Sequence, residues 1–461
     1  MKQSQRNASS KPTPAELWVG FGRGCITPDF PVPLAGYGNS AARMSQGAWG
    51  PSYAICTALR DEAGSTVLLV VTDLAGMAET IARALRQAIT AATGVPGDRI
   101  MISGIHTHSG PDLNIDHPSV TQYMPFFTGQ VVNACADAVA DLSPATLQAG
   151  AVEVEGMNFV RHYRMIDGTY AGDNFGNKTI PYASHEREPD REMQVLRFCR
   201  QDKQDILLLS WQAHPKIAST IATEEGRKTR GLMTADYVGF LREYVAAQTG
   251  CQVGFYQGSA GNLNALSNIP QERASVPLDA KVYGEQLGQW VLKALEHMTP
   301  RQTGPVLIKQ VFSHVRRDHT EDHLVEQARE VFALWRQTND YNLCAEKGAP
   351  YGIVNAYHAG SIISRSKSSD SKEIELNAIA IGDVAFVTAP YEMFCQNGQA
   401  IKAGSPFENT VIIAHCNGSN AYIAADAAFE FNSYEVQNRL FVRGTAEAAQ
   451  DTLIGMLKDL K

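Results

Sequence analysis

The chain has 461 residues, 44% of them hydrophobic, and its 40 lysines and arginines against 48 aspartates and glutamates give a net charge of −8. This length and apolar content are enough to bury a large core, as expected for a globular protein. The charges are scattered and form no basic stripe, so the sequence excludes nucleic acid as a partner.

The N-terminal segment and the cysteines bear on location. The first sixteen residues, MKQSQRNASSKPTPAE, are polar and lack the apolar region of an export signal. No later stretch reaches the 18 consecutive apolar residues typical of a membrane-spanning helix. The eight cysteines form no CxxC pair, and in a chain of this size they are expected to be reduced core thiols. We therefore expect a flexible tail over 1–16, a single domain over 17–461, no transmembrane segment and a cytoplasmic location.

Strand-like and helix-like segments alternate along the chain. Runs rich in apolar and β-branched residues predict buried strands at 66–74, 99–105, 205–213, 251–261, 377–389 and 409–418. Helical spacing of apolar residues predicts helices at 79–94, 130–142, 235–248, 281–297 and 321–336. Near-continuous apolar strands between amphipathic helices predict an α/β fold, with mixed β-sheets flanked by helices.

Polar side chains follow several of these predicted strands. The run IMISGIHTHSGP contains His106 and His108, which are two residues apart and so project to the same side of an extended chain. His214 follows another strand in SWQAHP, Glu392 closes VAFVTAPYE, and Tyr422 lies just beyond VIIAHCNG. Because ligands collect outside the carboxyl ends of strands in α/β sheets, we expect these side chains to converge at one site.

Two histidines and a carboxylate are typical ligands of a catalytic zinc ion, which keeps a further position for water. Such an ion lowers the pKa of water to about 7 and polarises a carbonyl group. A histidine at a strand end is also often structural, so spacing alone leaves both interpretations open for His214. The pair in HTHSGP favours the metal site more strongly, because Gly110 and Pro111 stop the strand and leave both rings in a loop.

Two other features, a glycine-rich segment and a cysteine, are candidates for a cofactor site and a nucleophile. GFGRG (20–24) resembles part of a dinucleotide-binding loop, but prolines at 28, 31 and 33 follow where the phosphate-binding helix should begin. Cys416 lies beside His415 and close to the predicted site, and we interpret it as a buried small residue. The sequence therefore indicates neither a dinucleotide site nor thiol catalysis.

A set of motifs occurs in an order that resembles a known family. The segments are VGFGRGCITPDFPVPLAGYG (19–38), HTHSGP (106–111), AHP (213–215), TADYVGFLR (234–242), PYEMF (390–394) and NGSNAYIAADAAFEFNSYE (417–435). Together they are similar to the N-terminal catalytic domain of the neutral/alkaline non-lysosomal ceramidases, over nearly the whole chain. The resemblance implies a ceramidase-like catalytic fold over 17–461. As a departure from the family, we expect no C-terminal immunoglobulin-like domain.

The resemblance also implies roles for individual residues. The implied ligands of a Zn²⁺ ion are His106, His214, Glu392 and Tyr422. The implied catalytic residues are His108 beside the metal as an acid/base group, Arg161 to polarise the substrate carbonyl, and Tyr434 to hydrogen bond the developing oxyanion. Without the resemblance, Tyr422 would be interpreted as a buried aromatic residue and Arg161 as a surface charge.

The sequence departs from the family's pattern near the predicted site. The family's serine loop corresponds to QGSAGNLN (257–264), where Gly258 matches the serine and Ser259 lies one place later, so a serine-acyl mechanism is unsupported. Ser419 replaces the first tyrosine of the family's paired tyrosine segment. The polar segment 164–190 has two interpretations, an ordinary surface excursion or a rim that selects a polar substrate.

These observations predict a zinc-dependent hydrolase that cleaves the amide bond of a small N-acyl substrate, smaller or more polar than ceramide. One alternative is a zinc-dependent esterase or lactonase, since the same activated water attacks any acyl carbon. The other is a non-catalytic sugar- or lipid-binding relative. The presence of the four implied ligands together with Arg161 and Tyr434 argues against the binding protein, which would not need that set.

Overall fold

The computed structural model describes residues 16–220 and 223–461. Its strands are β1 (Leu17–Cys25), β2 (Tyr53–Asp61), β3 (Thr66–Thr72), β4 (Ile100–Gly104), β5 (Ser143–Glu153), β6 (Phe159–Val160), β7 (His162–Met165), β8 (Tyr170–Gly172), β9 (Tyr182–His185), β10 (Glu192–Arg200), β11 (Ile206–Trp211), β12 (Gln252–Gln257), β13 (Leu263–Asn264), β14 (Thr299–Arg301), β15 (Val306–Arg316), β16 (Ser371–Ile381), β17 (Val384–Thr388), β18 (Glu392–Met393), β19 (Asn409–Ile413) and β20 (Tyr422–Ile423). Its α-helices are α1 (Glu79–Thr93), α2 (Pro118–Ala140), α3 (Glu224–Thr229), α4 (Tyr237–Thr249), α5 (Pro270–Ser275), α6 (Ala280–Leu295), α7 (Val325–Thr338), α8 (Tyr341–Gly348), α9 (Ala356–Ser366), α10 (Cys395–Gly404), α11 (Tyr434–Gln437) and α12 (Thr445–Leu460).

This mixed α/β arrangement confirms the predicted fold class. Residues 1–15 of the predicted tail lie outside the described residues, and the prediction of a single domain over 17–461 stays a prediction. Within the described ranges, the helices all fall short of the length and hydropathy that a bilayer crossing requires. Each of the eight cysteines is a free thiol, as expected from their spacing.

Local sequence explains the boundaries of the first strand–helix unit. Every residue of β3 is buried, as its run of valines and leucines predicts. Helix α1 buries Ala82, Leu85 and Ile89, and it ends at Gly94 in the left-handed conformation, with φ of 73°. Glycine adopts this conformation without strain because it has no Cβ. The helix predicted at 79–94 and the capping role of Gly94 are both confirmed.

Two predicted segments have different limits in the structure. The helix predicted at 130–142 is the second half of α2, which begins with Pro118 in its first turn and continues through Pro125. Proline fits the first turn because its missing N–H group has no partner there. The apolar run at 377–389 is divided between β16 and β17, which pair antiparallel around a tight turn where Gly382 has φ of 59°.

The larger sheet is strongly curved. Its strands are hydrogen bonded in the order β12-β11-β10-β5-β1-β2-β3-β4, and β14 pairs with β5. The pairs β3/β4 and β11/β12 are parallel. The edge strand β12 also contacts β2, β3 and β4, at the other end of the same sheet. This curvature brings together the loops after β4 and β11, which carry His106 and His214.

A second sheet, in the order β15-β16-β17-β19, packs beside the first. Its strands β17 and β19 are parallel, and β19 contacts β12 of the larger sheet. Residues of both sheets belong to one buried core, which includes Leu69, Phe255, Phe386 and Ile413. The loops after β17 and β19 lead to β18 and β20, which pair in parallel and place Glu392 opposite Tyr422.

The GFGRG motif has a packing role. Its three glycines are two residues apart, so they lie on the same face of β1, against α2. A Cβ atom at each would lie within 2.4 Å of a carbonyl oxygen of α2. The close approaches are Gly20 to Ala138, Gly22 to Ala134 and Gly24 to Gln130. The motif therefore lets the helix backbone lie directly on the strand, which explains its glycines without a dinucleotide.

We expect Gly22→Ala to destabilise the protein by at least about 1–3 kcal/mol, the usual cost of overpacking. The new Cβ would meet the Ala134 carbonyl oxygen at 2.0 Å, and backbone cannot move aside as a flexible side chain does. Gly129→Ala on the same helix is the matched control, because a Cβ there meets nothing within 4 Å and alanine favours helix. Urea denaturation measures both, and equal stabilities of the two variants would contradict the packing role.

A helical insertion between β15 and β16 forms a wall beside the strand ends. It contains α7, α8 and α9, which enclose a small core of their own that includes Val331, Trp335 and Ile362. The ring of Tyr357 on α9 packs edge-on against Tyr434, with ring centroids 6.1 Å apart. The insertion therefore borders the region where the predicted catalytic residues lie.

The polar segment 164–190 forms the outer part of a small sheet in the order β8-β7-β9. Its Phe175 ring packs edge-on against His162, with centroids 5.8 Å apart. Asp173 lies in the same loop and forms an ion pair with Lys216 at 2.8 Å. The segment is thus tied to the region around His214, as the rim interpretation requires.

Candidate metal centre

His106 and His214 are oriented by backbone carbonyl groups. The Nδ1 of His106 lies 2.9 Å from the carbonyl oxygen of Ala75, and the Nδ1 of His214 lies 2.9 Å from that of Leu263. A carbonyl oxygen only accepts hydrogen bonds, so the proton of each neutral ring is on Nδ1. Both Nε2 atoms therefore carry a lone pair rather than a proton, as a metal ligand requires.

Glu392 lies between the Nε2 atoms of His106 and His214. Its Oε2 is 3.2 Å from Nε2 of His106 and 3.3 Å from Nε2 of His214. Ligand atoms of one tetrahedral zinc ion, at usual bond lengths, lie roughly 3.3 Å apart. Glu392 Oε2 and His106 Nε2 are buried, and neither has a hydrogen-bond partner of good geometry within residues 16–220 and 223–461. Such buried unpartnered atoms are costly unless a ligand satisfies them.

The charge states of these groups also suit a cation. Burial lowers the pKa of His214 to about 3, so its ring is neutral at pH 7. Oε2 of Glu392 faces both Nε2 atoms, so a cation placed among the three atoms would accept a lone pair from each of them. Two imidazole nitrogens with a carboxylate oxygen form a donor set that a zinc ion accepts. The residues present therefore fit the metal that the sequence predicts.

Two further histidines surround the cluster. Ligand atoms of His106, His108 and His214 lie within 4.8 Å of one another, and so do those of His106, Glu392 and His415. His415 stacks on His106 with ring centroids 4.1 Å apart and an interplanar angle of 11°. Burial lowers the pKa of His108 and of His415 well below the usual value. Both rings are therefore neutral at pH 7.

Tyr422, Tyr434 and Arg161 lie together on one side of this cluster. The two tyrosine rings are edge-on, with centroids 5.9 Å apart. The guanidinium carbon of Arg161 lies 5.4 Å from the centroid of Tyr422 and 5.9 Å from that of Tyr434. Its Nη1 is 3.5 Å from Nε2 of His214. The structure therefore brings all seven sequence-predicted site residues into one region, while their roles stay predictions.

Arg161 is held by a buried carboxylate. Only 3% of Arg161 is exposed, so the interpretation of this residue as a surface charge is wrong. Its Nε donates to Glu435 at 2.7 Å, and its Nη2 donates to the Gly261 carbonyl oxygen at 2.8 Å. Glu435 also lies 2.8 Å from Nε2 of His162. Although burial opposes it, the charges of His162 and Arg161 lower the pKa of Glu435 to about 2, so it is ionised and fixes the guanidinium.

Three residues of this region, Glu435, His162 and His415, were not predicted from the sequence as parts of the site. Glu435 follows Tyr434 directly, and a carboxylate beside a predicted catalytic residue was a signal that could have identified it. His415 was read only as a neighbour of Cys416. Its place on His106 depends on a backbone with φ of 53°, in the left-handed region that residues other than glycine rarely adopt. Nothing in its local sequence indicates this turn.

Backbone strain is concentrated at the same place. His106 has φ of 68° and Ala421, which precedes Tyr422, has φ of 57°. Each such residue costs on the order of 1–3 kcal/mol and persists only where the surrounding structure imposes it. Strain at residues that aim side chains into one cluster is typical of a functional site.

Ser259 and Cys416 lie apart from this chemistry. Ser259 is buried and packs against α10, where a Cβ on Gly398 would lie 2.4 Å from its Oγ. Cys416 is also buried, and burial raises the pKa of its thiol to about 12. A thiol with so high a pKa is a poor nucleophile at pH 7, in agreement with its interpretation as a small core residue.

Two solved structures share this fold. Neutral ceramidase from Pseudomonas aeruginosa matches 97% of this chain and 74% of its own, with a TM-score of 0.71 and 17% sequence identity. A ceramidase complexed with C2 matches 97% of this chain and 75% of its own, with a TM-score of 0.69 and 16% identity. The chain is thus similar in fold to neutral ceramidase.

This similarity concerns the fold. No family model matches the sequence. None of the curated proteins matches it either. At 16–17% identity, the solved structures confirm the ceramidase-like fold that the motif order implied, and they leave the activity to be argued from the site.

Proposed function

We propose that this protein is a zinc-dependent hydrolase that cleaves the amide bond of a small N-acyl compound. The observation that carries the proposal is the cluster in which the Nε2 atoms of His106 and His214 converge on the carboxylate oxygen of Glu392 beside a buried arginine. The ceramidase-like fold supports an amide as the bond that is cleaved.

The proposed zinc ligands are His106, His214, Glu392 and Tyr422. When bound, zinc supplies a Lewis acid that polarises a carbonyl group and lowers the pKa of water to about 7. The unpartnered Nε2 of His106 and Oε2 of Glu392 support the ion's place. Burial and the nearby Glu392 raise the pKa of Tyr422 above its usual value, so its phenol is neutral in the protein alone. Tyr422 would need the cation's charge to ionise.

Arg161 is proposed to bind the carbonyl oxygen of the substrate. Its guanidinium is buried and positively charged, and Glu435 and the Gly261 carbonyl oxygen fix its orientation before substrate enters. A fixed charge stabilises a developing oxyanion without the cost of reorienting during the reaction. Nη1 points towards His214, so the group lies next to the proposed metal position.

His108 and Tyr434 are proposed to act on the proton and on the oxyanion. The ring of His108 is neutral at pH 7, and its Nδ1 lacks a hydrogen-bond partner within the described ranges, so the ring can take a proton from the attacking water. As the water oxygen bonds to the acyl carbon and the C–N bond breaks, that proton passes to the leaving amine. The Tyr434 hydroxyl donates to the oxygen that becomes negative. Burial raises the pKa of Tyr434, so it stays a donor.

The substrate is proposed to be smaller or more polar than ceramide. A ceramide site needs a long apolar groove for two alkyl chains. The side chains on the Lys216 side of His214 include the polar residues Asp173 and Asn264.

The cytoplasmic location stays a prediction.

The test is a hydrolysis assay of the zinc-loaded protein with short N-acyl amines, N-acyl amino sugars, long-chain ceramide and the matching esters. We expect release of free amine from a short N-acyl compound, and none from the His106→Ala/His214→Ala variant. Hydrolysis of esters or lactones alone would replace the amide proposal with an esterase. A zinc-loaded protein that cleaves none of these compounds would overturn the hydrolase proposal.

A further inference from the structure

A small polar pocket lies directly beside His214. It has a volume of about 90 Å³ and is lined by the polar residues Asp173, Lys216, Thr220, Asn264, Asn268 and Arg273 and by the apolar residues Ile217, Ala265 and Leu266. Asn264 pairs with His214 in a parallel β-bridge, and Lys216 follows His214 by two residues. The pocket is therefore built on the same two chain segments that position a proposed zinc ligand.

The pocket is preorganised around Asp173. The carboxylate accepts hydrogen bonds from Lys216 Nζ and Asn264 Nδ2, each at 2.8 Å, and from Asn268 Nδ2 at 3.3 Å. Although burial opposes it, the charges of Lys216 and Arg161 hold the pKa of Asp173 well below its usual value. The carboxylate is thus ionised and pairs with Lys216, and Arg273 adds a second positive charge to the lining.

One acceptor in the pocket is unsatisfied. Asn264 is 4% exposed, and its Oδ1 has no partner in the part of the chain that the structure describes. A buried amide oxygen left without a donor costs about 1–3 kcal/mol. Lys216 uses one of its three N–H groups on Asp173, which leaves further donors in the same pocket. A group that fills the pocket must therefore both donate and accept.

These features select among ligand chemistries. An alkyl chain would leave Asn264 Oδ1 unpaired. A chain as long as a ceramide tail would also exceed the pocket's volume of about 90 Å³. A carboxylate or phosphate could accept from Lys216 and Arg273, but it would lie beside the negative charge of Asp173 and could not donate to Asn264 Oδ1. A hydroxyl group donates to Asn264 Oδ1 and accepts from Lys216 Nζ, so it satisfies both at once.

We propose that this pocket binds hydroxyl groups of the substrate, which is a polyhydroxylated N-acyl compound of sugar-like polarity. The inference rests on the proposed amide hydrolase and deepens it, because it names the substrate class. It also assigns a role to the polar segment 164–190, which carries Asp173 into the pocket.

The test compares three N-acyl probes on the zinc-loaded full chain. N-acetylcyclohexylamine has a ring without hydroxyl groups, N-acetylglucosamine carries hydroxyl groups on the amine side, and N-cyclohexylgluconamide carries them on the acyl side. We expect kcat/KM for one hydroxylated probe to exceed that of N-acetylcyclohexylamine at least tenfold. Equal values for all three probes would overturn the pocket's role.

Asn264→Leu removes the unsatisfied acceptor with little change in volume. We expect it to raise KM for the preferred hydroxylated probe about five- to tenfold, with kcat nearly unchanged, and to raise KM for N-acetylcyclohexylamine by a smaller factor, so that the preference for hydroxyl groups falls. Asn268→Leu is the second variant if Asn264→Leu folds poorly, and Lys178→Gln, an exposed residue of the same polar segment, is the control. An unchanged preference in both pocket variants would contradict the proposal.

Failure of the proposed hydrolase can be told apart from failure of the pocket. If none of the three probes is cleaved, calorimetry measures binding of N-acetylglucosamine and N-cyclohexylgluconamide to the same protein. Binding that Asn264→Leu weakens would support the pocket without the reaction. Absence of binding by both hydroxylated probes would overturn the pocket as well.

Discussion

The His106→Ala/His214→Ala variant is expected to fold and to carry no zinc, whereas the unaltered protein carries about one zinc per chain. The physical reason is that both Nε2 atoms face Glu392, and removal of the two histidines leaves only Glu392 and Tyr422 of the four proposed ligands. Elemental analysis of the purified proteins measures the metal directly. Zinc at 100 times its Kd should also stabilise the unaltered protein by about 2.7 kcal/mol, and the double variant by none.

A matched control separates the site from general loss of histidines. His314→Ala/His323→Ala removes two exposed histidines on β15 and the helical insertion, and it should keep its zinc. Circular dichroism of each variant shows whether it is folded. A folded, zinc-supplied, unaltered protein without metal would refute the metal site and leave the sugar- or lipid-binding alternative.

Tyr434→Phe is expected to lower the rate of amide hydrolysis about 100- to 1,000-fold while zinc remains bound. The substitution removes one hydroxyl donor and keeps the ring that packs against Tyr422 and Tyr357. Loss of a preorganised donor weakens binding of the transition state more than binding of the substrate, so kcat should fall with little change in KM. Steady-state kinetics and elemental analysis on the same preparation measure the two effects.

Tyr341→Phe is the control for this prediction. Tyr341 is 42% exposed on the helical insertion, and its hydroxyl lies 2.9 Å from that of Tyr357. We expect its variant to turn over substrate as the unaltered protein does. Unchanged turnover in Tyr434→Phe would remove this residue from the mechanism, and loss of zinc in the same variant would give it a structural role at the metal.

The fold class and the polar residues that follow the strands could be predicted because they depend on local pattern. Buried strands such as β3 are continuous runs of apolar residues, and the polar residues that follow β4 and β11 stand out against them. The order of short motifs implied a ceramidase-like fold, which the solved structures confirm. The boundaries that were wrong, in α2 and at Gly382, involve proline inside a helix and a two-residue turn inside an apolar run.

The environment of Arg161 could not be predicted. In sequence it stands among charged residues and resembles a surface position, whereas Glu435, 274 residues away, forms its ion pair. Similarly, Asp173 is one polar residue among many in 164–190, and its role follows from Lys216 and Asn264 in other segments. Such partners are set by sheet curvature and loop path, which local pattern does not encode.

The sequence by itself determined that two histidines and a carboxylate follow strands of this protein, and it indicated Arg161 and the tyrosine pair only through motifs whose order resembles a known family. The physical reason is that hydrophobic periodicity fixes where a strand stops, and the next residues must face the loop region. Only the tertiary structure decided that the Nε2 atoms of His106 and His214 lie within 3.3 Å of Glu392 Oε2. It also decided that His415 stacks on His106 and that a small pocket lies beside the chain segment of His214. Those contacts join residues far apart in the chain, and packing of the whole core, rather than any local segment, holds them in place.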